Sequence, residues 1–266
     1  MTLPTVEIAG LEISRLLLGG NPVSGFSHLS PEATEGMLNY FTAENVKALL
    51  RRCEECGITA AVMRADNHVI RLLREYWNEG GTIRWIAQTA PEEEHLGNVD
   101  KAVRYGASAV SIHGGWIDTH FARGAYDDVR VVLDHIRSHN VPAGCASHVP
   151  AHHLEMVRRE WPLDFHMVCL HNLAGYRGKL GTENEEEFSR ADREIALDTI
   201  ARIERPCIAY KILGAGRYEA EPAFRETFDR IKPTDAVTVG MYPPDCTDGD
   251  IVEHNVAYAE KYGTNA

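Results

Sequence analysis

Short apolar runs alternate with amphipathic segments along almost the whole chain. Each apolar run is short enough for a buried strand, and the segment after it repeats apolar residues every three or four positions, as a helix on a sheet does. The predicted strands are 15–21, 58–64, 83–88, 109–113, 143–148, 167–171, 207–212 and 236–240, and the predicted helices are 42–56, 69–78, 96–105, 126–138, 152–161, 195–203, 223–231 and 251–262. Eight such units favour an α/β fold of the closed (β/α)8 TIM-barrel type over an open doubly wound sheet.

The two ends of this pattern complete the prediction. Residues 6–13 alternate around Ala9 and Gly10, which predicts a short N-terminal β-hairpin before the barrel. A long loop follows the first strand, and the acidic run 183–187 is expected to be a solvated helix start. Because α/β barrels use this length as one unit, we expect a single domain over residues 1–266.

Composition narrows the class of protein. Hydrophobic residues make up 44% and charged residues 25%, as in an ordinary globular protein. The net charge of -12, without a basic stripe, makes nucleic acid an unexpected partner. With no leader-like N-terminus or apolar run of membrane-spanning length, we expect a cytoplasmic protein that has no membrane partner, binds a small molecule and is compatible with a homo-oligomer. Six scattered cysteines predict reduced thiols.

Three consecutive predicted strands end in histidine. These residues are His113, His148 and His171, and neighbouring strand ends share one mouth of a barrel. Three imidazoles are a suitable ligand set for a divalent transition metal, with a fourth position left for water or substrate, although Zn, Mn, Fe and Co are not distinguished. The alternative is that the three histidines are separate hydrogen-bonding residues in a substrate pocket.

Other polar residues are expected at the same mouth. Lys211 ends the seventh strand and is a candidate proton shuttle, oxyanion stabiliser or Schiff-base nucleophile. Asp118 follows the fourth strand and is a candidate fourth ligand, an orienting carboxylate or loop surface. Four residues that close the first three strands are candidates for substrate binding: Asn21, Arg64, Asp66 and Gln88. His152 and His153 are assigned to a helix start, outside the site.

Several motifs, in order along nearly the whole chain, resemble the aldo-keto reductase superfamily. They are Ile-Ser-Arg-Leu-Leu-Leu-Gly-Gly-Asn-Pro at 13–22, the strand-end His113, Tyr-Lys-Ile-Leu-Gly-Ala-Gly at 210–216, and Val-Gly-Met at 239–241 with Glu253 and Asn255. The resemblance implies a TIM barrel, a nicotinamide cofactor and a catalytic role for His113.

The departures from that family concern its hydride chemistry. The family places an Asp, a Tyr and a Lys beside the histidine, and the matching positions here are Val62, Asn67 or His68, and Gln88. Without the Tyr and Lys, a carbonyl cannot be protonated by the usual route. Where the family contacts nicotinamide, this chain has Ser147 and His148, and the surroundings of His171.

The expected function is therefore a metal-dependent lyase, isomerase or hydrolase of carbohydrate metabolism, acting on a small hydroxylated or carbonyl substrate such as a sugar derivative. The ion would be held by the three histidines, with His113, Asp118 and Lys211 as catalytic groups. The alternatives are an NAD(P)-dependent oxidoreductase of the aldo-keto reductase type with an altered proton donor, and a binding protein that kept only the barrel.

Overall fold

Eight parallel strands close into a barrel, as the strand–helix repeat predicts. The computed structural model describes residues 3–171 and 188–264, and the acidic run 183–187 lies outside them. The hairpin strands are β1 (Thr5–Ile8) and β2 (Leu11–Ser14), and the barrel strands are β3 (Leu16–Gly19), β4 (Ala60–Arg64), β5 (Arg84–Gln88), β6 (Ala107–Ile112), β7 (Ala143–Ser147), β8 (Phe165–Cys169), β9 (Cys207–Tyr210) and β10 (Ala236–Gly240). Strand β10 pairs with both β9 and β3, which closes the sheet.

Helices cover the outside of the barrel. They are α1 (Pro31–Tyr40), α2 (Ala43–Glu55), α3 (Asn67–Asn78), α4 (His95–Arg104), α5 (Gly114–Ala122), α6 (Tyr126–Ser138), α7 (Pro150–Arg158), α8 (Arg190–Arg202), α9 (Ala220–Arg230) and α10 (Ile251–Gly263), with a short 3-10 helix at Pro243–Asp245. Among the described residues no helix combines the length and apolarity needed to cross a bilayer. All six cysteines are free thiols.

Two of these helices were not predicted. Helix α1 begins with Ser30 as N-cap and Pro31 in its first turn, a start signal that the long-loop interpretation overlooked. Helix α5 begins with Gly114 and Gly115, which predict a turn rather than a helix. It forms because His113 caps it and because Ile117 and Phe121 are buried against the core. Helix α5 carries Asp118 to the barrel mouth.

The hairpin is the floor of the barrel. Ala9 and Gly10 both have positive φ, as in the tight turns that suit two-residue hairpins. The hairpin residues Val6, Ile8 and Ile13 join one apolar cluster with the side chains that fill the barrel interior. Because one end of the barrel is filled in this way, a substrate can enter only at the end where the strands terminate.

A buried arginine ties this floor together. Arg15 is 2% exposed and donates from Nε to the carbonyl of Asp235 at 2.9 Å and from Nη2 to that of Lys232 at 2.8 Å. Its third donor binds the carbonyl of Gly263 at the end of α10. One guanidinium thus joins the start of β3, the turn before β10 and the last helix.

We expect Arg15→Met to lower the free energy of unfolding by about 3–5 kcal/mol, because three carbonyls lose a charged donor in a buried position. Arg84→Met is the matched control: Arg84 is an exposed strand arginine that also donates to a carbonyl, that of Glu12. The control should cost less than about 1 kcal/mol. Urea unfolding of the two variants measures the difference, and equal losses would contradict the role of Arg15.

Candidate active site

A cavity of about 370 Å³ opens at the ends of the barrel strands. Its wall is built from residues at or just after those ends, joined by the loop before α1 and the loop before α10. The polar residues that line it are Asn21, Ser27, His28, Arg64, Gln88, His113, Asp118, His148, Tyr210, Lys211, Thr238, Tyr242 and Asp245. Most of the sequence-predicted candidates therefore do meet at one mouth.

Asp118 is the best-buried carboxylate of this cavity. It is 2% exposed and accepts hydrogen bonds from Ser147 Oγ at 2.5 Å, His148 Nδ1 at 2.8 Å and His152 Nδ1 at 3.2 Å. Burial by itself raises its pKa, but the hydrogen bonds from the two imidazoles and from Ser147, with the nearby charge of His148, bring the pKa well below its usual range. Asp118 is therefore ionised at neutral pH.

The ring of His148 is held between Asp118 and the cavity. Since Nδ1 is taken by the carboxylate, Nε2 is the ring nitrogen left to meet a substrate. The ring lies close to α5 because Gly114 has no side chain: a Cβ at Gly114 would be 3.1 Å from His148 Cε1 and 3.2 Å from Tyr210 Oη. Burial raises the pKa of Tyr210 far above its usual value, so this phenol stays protonated and donates to the Ser147 carbonyl at 3.0 Å.

His113 is tied to the start of α5. Its Nδ1 accepts a hydrogen bond from the Gly115 backbone N–H at 3.1 Å, so Nδ1 carries no proton and the neutral ring is protonated at Nε2. The helix N-terminus also disfavours a positive charge at this position. His113 is thus set up as a neutral N–H donor in the wall of the cavity.

Lys211 meets a residue that the sequence did not single out. Its Nζ lies 2.7 Å from Nε2 of His28, and Nδ2 of Asn21 lies 3.3 Å from the same nitrogen. Both neighbours are donors, so His28 Nε2 is the acceptor of the group. Lys211 and His28 have φ values of 58° and 56°, a left-handed conformation that costs non-glycine residues energy and is concentrated at functional sites. Only the folded chain reveals His28, since nothing in the sequence around it indicates a role.

A second buried arginine supports Lys211 from behind. Arg193 on α8 has 0% exposure and donates to the carbonyl of Ile212 at 2.8 Å. The same guanidinium is anchored by Thr227 Oγ1 at 2.9 Å and by Glu226 at 2.7 Å. Because Ile212 follows Lys211 directly, this contact fixes the backbone that places the ammonium group in the cavity.

The three strand-end histidines do not form the predicted metal cluster. Their ligand atoms do not all lie within 4.8 Å of one another. His113 and His148 line the cavity, but His171 is fully buried beside it, stacked on Tyr218 at 5.2 Å between ring centroids and near Phe188. The reason is that β8 ends at Cys169, and the chain has left the strand before it reaches His171.

The substrate-binding candidates divide into two groups. Asn21, Arg64 and Gln88 line the cavity as expected. Asp66 does not: its carboxylate caps α3 by accepting from Val69 N at 2.9 Å, and it pairs with Arg64 at 3.3 Å. A helix start two residues beyond a strand explains the correction, because an aspartate there is used as an N-cap.

His152 has a different position from the one that the sequence predicts. The sequence places His152 at a helix start, outside the site, yet its imidazole contacts Asp118 and, at 3.1 Å, Ser147 Oγ. His152 therefore belongs to the hydrogen-bond group behind His148.

The positions matched to the Asp, Tyr and Lys of the aldo-keto reductases are divided between the cavity and the outside. Val62 and Gln88 line the cavity, whereas Asn67 and His68 lie on α3 outside its wall.

Known structures share the fold of this chain. No protein-family model matches the sequence, and no curated protein is significantly similar to it. Two structures assigned as aldo-keto reductases from Pseudomonas aeruginosa superpose with TM-scores of 0.62 and 0.59, both at 18% identity, covering 98% and 97% of this chain and 96% and 94% of theirs. An N-acetylmannosamine-6-phosphate 2-epimerase from Clostridium perfringens superposes with a TM-score of 0.53 at 12% identity over 77% of this chain and 83% of its own. The fold thus resembles that of aldo-keto reductases and is shared by enzymes of several classes.

This arrangement offers three different chemical functions around one cavity. His148, oriented by an ionised carboxylate, can take up and release a proton. His113 can donate a hydrogen bond from a neutral ring, and the ammonium of Lys211 can stabilise negative charge. These are the groups that proton transfer next to a carbonyl requires.

His171 makes the protein sensitive to acid. Burial first, and then the charges of Arg193, Lys211 and Arg217, lower its pKa from the usual 6.5 to about 4. Between about pH 6.5 and pH 4, His171 is therefore protonated in the unfolded chain and neutral in the folded chain. The free energy of unfolding falls as the pH falls through this window.

We expect His171→Phe to remove this loss. The imidazole of His171 is fully buried, and phenylalanine keeps the stacking on Tyr218 without a group that takes up a proton. Between about pH 7.5 and pH 5 the wild type should lose about 2 kcal/mol more than the variant in urea unfolding. Parallel pH dependences of the two proteins would contradict the burial of a neutral imidazole here.

Proposed function

We propose that this protein is an enzyme that transfers protons on a small substrate bearing a carbonyl and neighbouring hydroxyl groups, such as a sugar derivative, and that it acts as an isomerase or lyase. The observation that carries the proposal is the pair of Asp118 and His148: a carboxylate with 2% exposure, 2.8 Å from the Nδ1 of an imidazole that lines the cavity. Such a pair is the common way to hold an imidazole in one tautomer for acid–base work.

Each group around the cavity takes one role in this reaction. Nε2 of His148 removes the proton from the carbon next to the carbonyl. In an isomerisation it returns this proton to the former carbonyl carbon while a hydroxyl proton passes to the former carbonyl oxygen, and in a lyase reaction the bond to a leaving group on the neighbouring carbon breaks and that group takes up the proton. Nε2–H of His113 binds the carbonyl oxygen, where a neutral donor stabilises a developing enolate without holding it too tightly. Lys211 supplies the positive charge on the side of His28.

The size and lining of the cavity support a small polyol substrate. About 370 Å³ is near the lower end of ordinary ligand pockets. The side chains of Asn21, Arg64 and Gln88 supply donors and acceptors for hydroxyl groups, while Phe26, Leu29 and Met37 cover the outer wall. A substrate enclosed in this way is shielded from water during proton transfer.

No step of this proposal passes through a metal at the three histidines. The three imidazoles do not offer ligand atoms that all lie within 4.8 Å of one another, and His171 packs on Tyr218 and Phe188. His113 and His148 also have Nδ1 committed, to Gly115 N–H and to Asp118. The His148 ring directs Nε2 into the cavity, where it can meet the substrate itself.

The oxidoreductase alternative makes a different prediction. Ser147 and His148, which stand where the family resemblance puts nicotinamide contacts, are both bound to Asp118. Their use by a protein carboxylate supports a site without nicotinamide. Fluorescence titration with NADPH should then show no saturable binding, whereas saturation at micromolar NADPH would favour the aldo-keto reductase type of chemistry.

His148→Gln tests the proposed base. In D2O the wild type should catalyse exchange of the carbon-bound protons of small hydroxy-carbonyl compounds such as dihydroxyacetone, glyceraldehyde and hydroxyacetone, followed by proton NMR. The variant should exchange at least about 100-fold more slowly, because a positioned general base contributes about 10²–10⁴ in rate.

The control is His152→Gln. His152 contacts the same carboxylate at 3.2 Å but does not line the cavity. Its exchange rate should stay within about threefold of the wild type. Equal rates for His148→Gln and the wild type, or equal losses in both variants, would overturn the assignment of His148 as the base.

Asp118→Asn tests the orienting carboxylate. We expect the exchange rate to fall by about 10²-fold or more, since an amide no longer stabilises the imidazolium of His148. Because the two residues act as one unit, the double variant Asp118→Asn with His148→Gln should be no slower than His148→Gln alone. Multiplicative losses in this cycle would show that the two residues act separately.

A further inference from the structure

A second group of metal-ligating side chains lies at the rim of the cavity, away from the three histidines. Cys246 follows the short 3-10 helix, Asp248 lies in the loop after it, and His254 lies in the first turns of α10. One ligand atom from each residue lies within 4.8 Å of the other two. The neighbouring residues Asp245 and Ile251 line the cavity, so this loop is part of its wall.

Two distances in this group match the ligand-to-ligand distances of a tetrahedral zinc site. Cys246 Sγ is 3.6 Å from His254 Nδ1 and 3.7 Å from Asp248 Oδ1. Zinc binds thiolate at about 2.3 Å and imidazole or carboxylate at about 2.0–2.2 Å, and a tetrahedral angle then separates sulfur from nitrogen or oxygen by about 3.6 Å. The distances from the Cys246 sulfur to the His254 nitrogen and to the Asp248 oxygen therefore already have the values that a bound zinc ion requires.

The loop is shaped around the imidazole of His254. Gly249 passes so close that a Cβ on it would lie 2.8 Å from His254 Nε2, and this leaves Nδ1 on the side of Cys246. Asp248 is exposed and can rotate toward an ion, whereas Cys246 and His254 are half-buried and more restricted. A thiolate and an imidazole with restricted positions, together with one carboxylate that can rotate, are a suitable ligand set for zinc.

The other ligand group of the described residues lacks this geometry. Asp100 Oδ1 lies 2.6 Å from His135 Nε2 and 2.7 Å from His139 Nε2, on the outer surface of α4 and α6. These are hydrogen-bond lengths, and a tetrahedral ion would need about 3.3 Å between the same atoms. That group is a pair of imidazole–carboxylate hydrogen bonds, and it provides a control for surface binding of metals.

We propose that Cys246, Asp248 and His254 bind one Zn²⁺ ion, with water in the fourth position. On binding, the Cys246 thiol loses its proton to solvent and the thiolate becomes the sulfur ligand. The ion would join the loop after β10 to the first turns of α10 and so hold the part of the cavity wall that carries Tyr242 and Asp245. This inference does not depend on the reaction proposed for the cavity.

Co²⁺ tests the site, because a cobalt–thiolate bond has its own charge-transfer absorption. The full chain is reduced, stripped of metal with a chelator and titrated with Co²⁺. The wild type should show this absorption together with the visible bands of tetrahedral cobalt, both saturating at one equivalent. Added Zn²⁺ should abolish both, with release of cobalt.

Variants distinguish this site from other metal binding. Cys246→Ser should lose the thiolate band, and Asp248→Asn and His254→Gln should each weaken Co²⁺ binding at least tenfold. Cys56→Ser, at another half-buried free thiol, and His135→Gln, at the surface hydrogen bonds of Asp100, should leave the titration unchanged. Zn²⁺ should raise the thermal unfolding midpoint of the wild type and not that of Cys246→Ser.

Three results would overturn the proposal. They are the absence of a thiolate band in the wild type, a band that persists in Cys246→Ser, and a band that Cys56→Ser removes. Far-UV circular dichroism of the metal-free variants checks folding, and if Cys246→Ser does not fold, Asp248→Asn at the exposed ligand gives the same test.

Discussion

A carboxylate that is withdrawn from water stays ionised only if donors surround it, and the cavity end of this barrel is organised around one such group. Asp118 comes from α5, its donors Ser147 and His148 come from the end of β7, and His152 comes from α7. The carboxylate thus joins three elements of the barrel, α5, β7 and α7, to one another. The same contacts fix the direction of the His148 ring, so the interaction that stabilises the mouth also decides which ring nitrogen faces the cavity.

Two buried arginines have a comparable role for the backbone. Arg15 gathers carbonyls at the floor of the barrel, and Arg193 binds the carbonyl of Ile212 at the mouth. A guanidinium presents several donors in a fixed plane, so it can satisfy carbonyls from separate segments that regular pairing leaves open. At the mouth, Arg193 holds the backbone next to Lys211, whose left-handed conformation is strained for a non-glycine residue. The buried guanidinium thereby stabilises this strained conformation.

The fold could be predicted further than the site. Eight apolar runs followed by amphipathic segments allow few arrangements, and the barrel, its hairpin and the limits of helix α6 follow from that pattern. The prediction of the three-histidine cluster was wrong because it assumed that each strand continues to the last residue of its apolar run. His113 and His148 come directly after β6 and β7, but β8 ends two residues before His171, and side-chain alternation no longer applies there. The third imidazole therefore packs on Tyr218 and not beside the other two.

The sequence by itself determined the class of fold and most of the polar residues that line the cavity at the strand ends. It could do so because apolar periodicity and strand order are local properties that the barrel topology converts directly into position. The tertiary structure alone decided which of these residues meet. His28 reaches Lys211 across 183 positions of sequence, His152 joins Asp118, and Cys246 approaches His254 through a loop that bends around an imidazole. Contacts of this kind depend on where the chain leaves its strands and on which donors a buried charge collects, and both are settled only when the barrel closes.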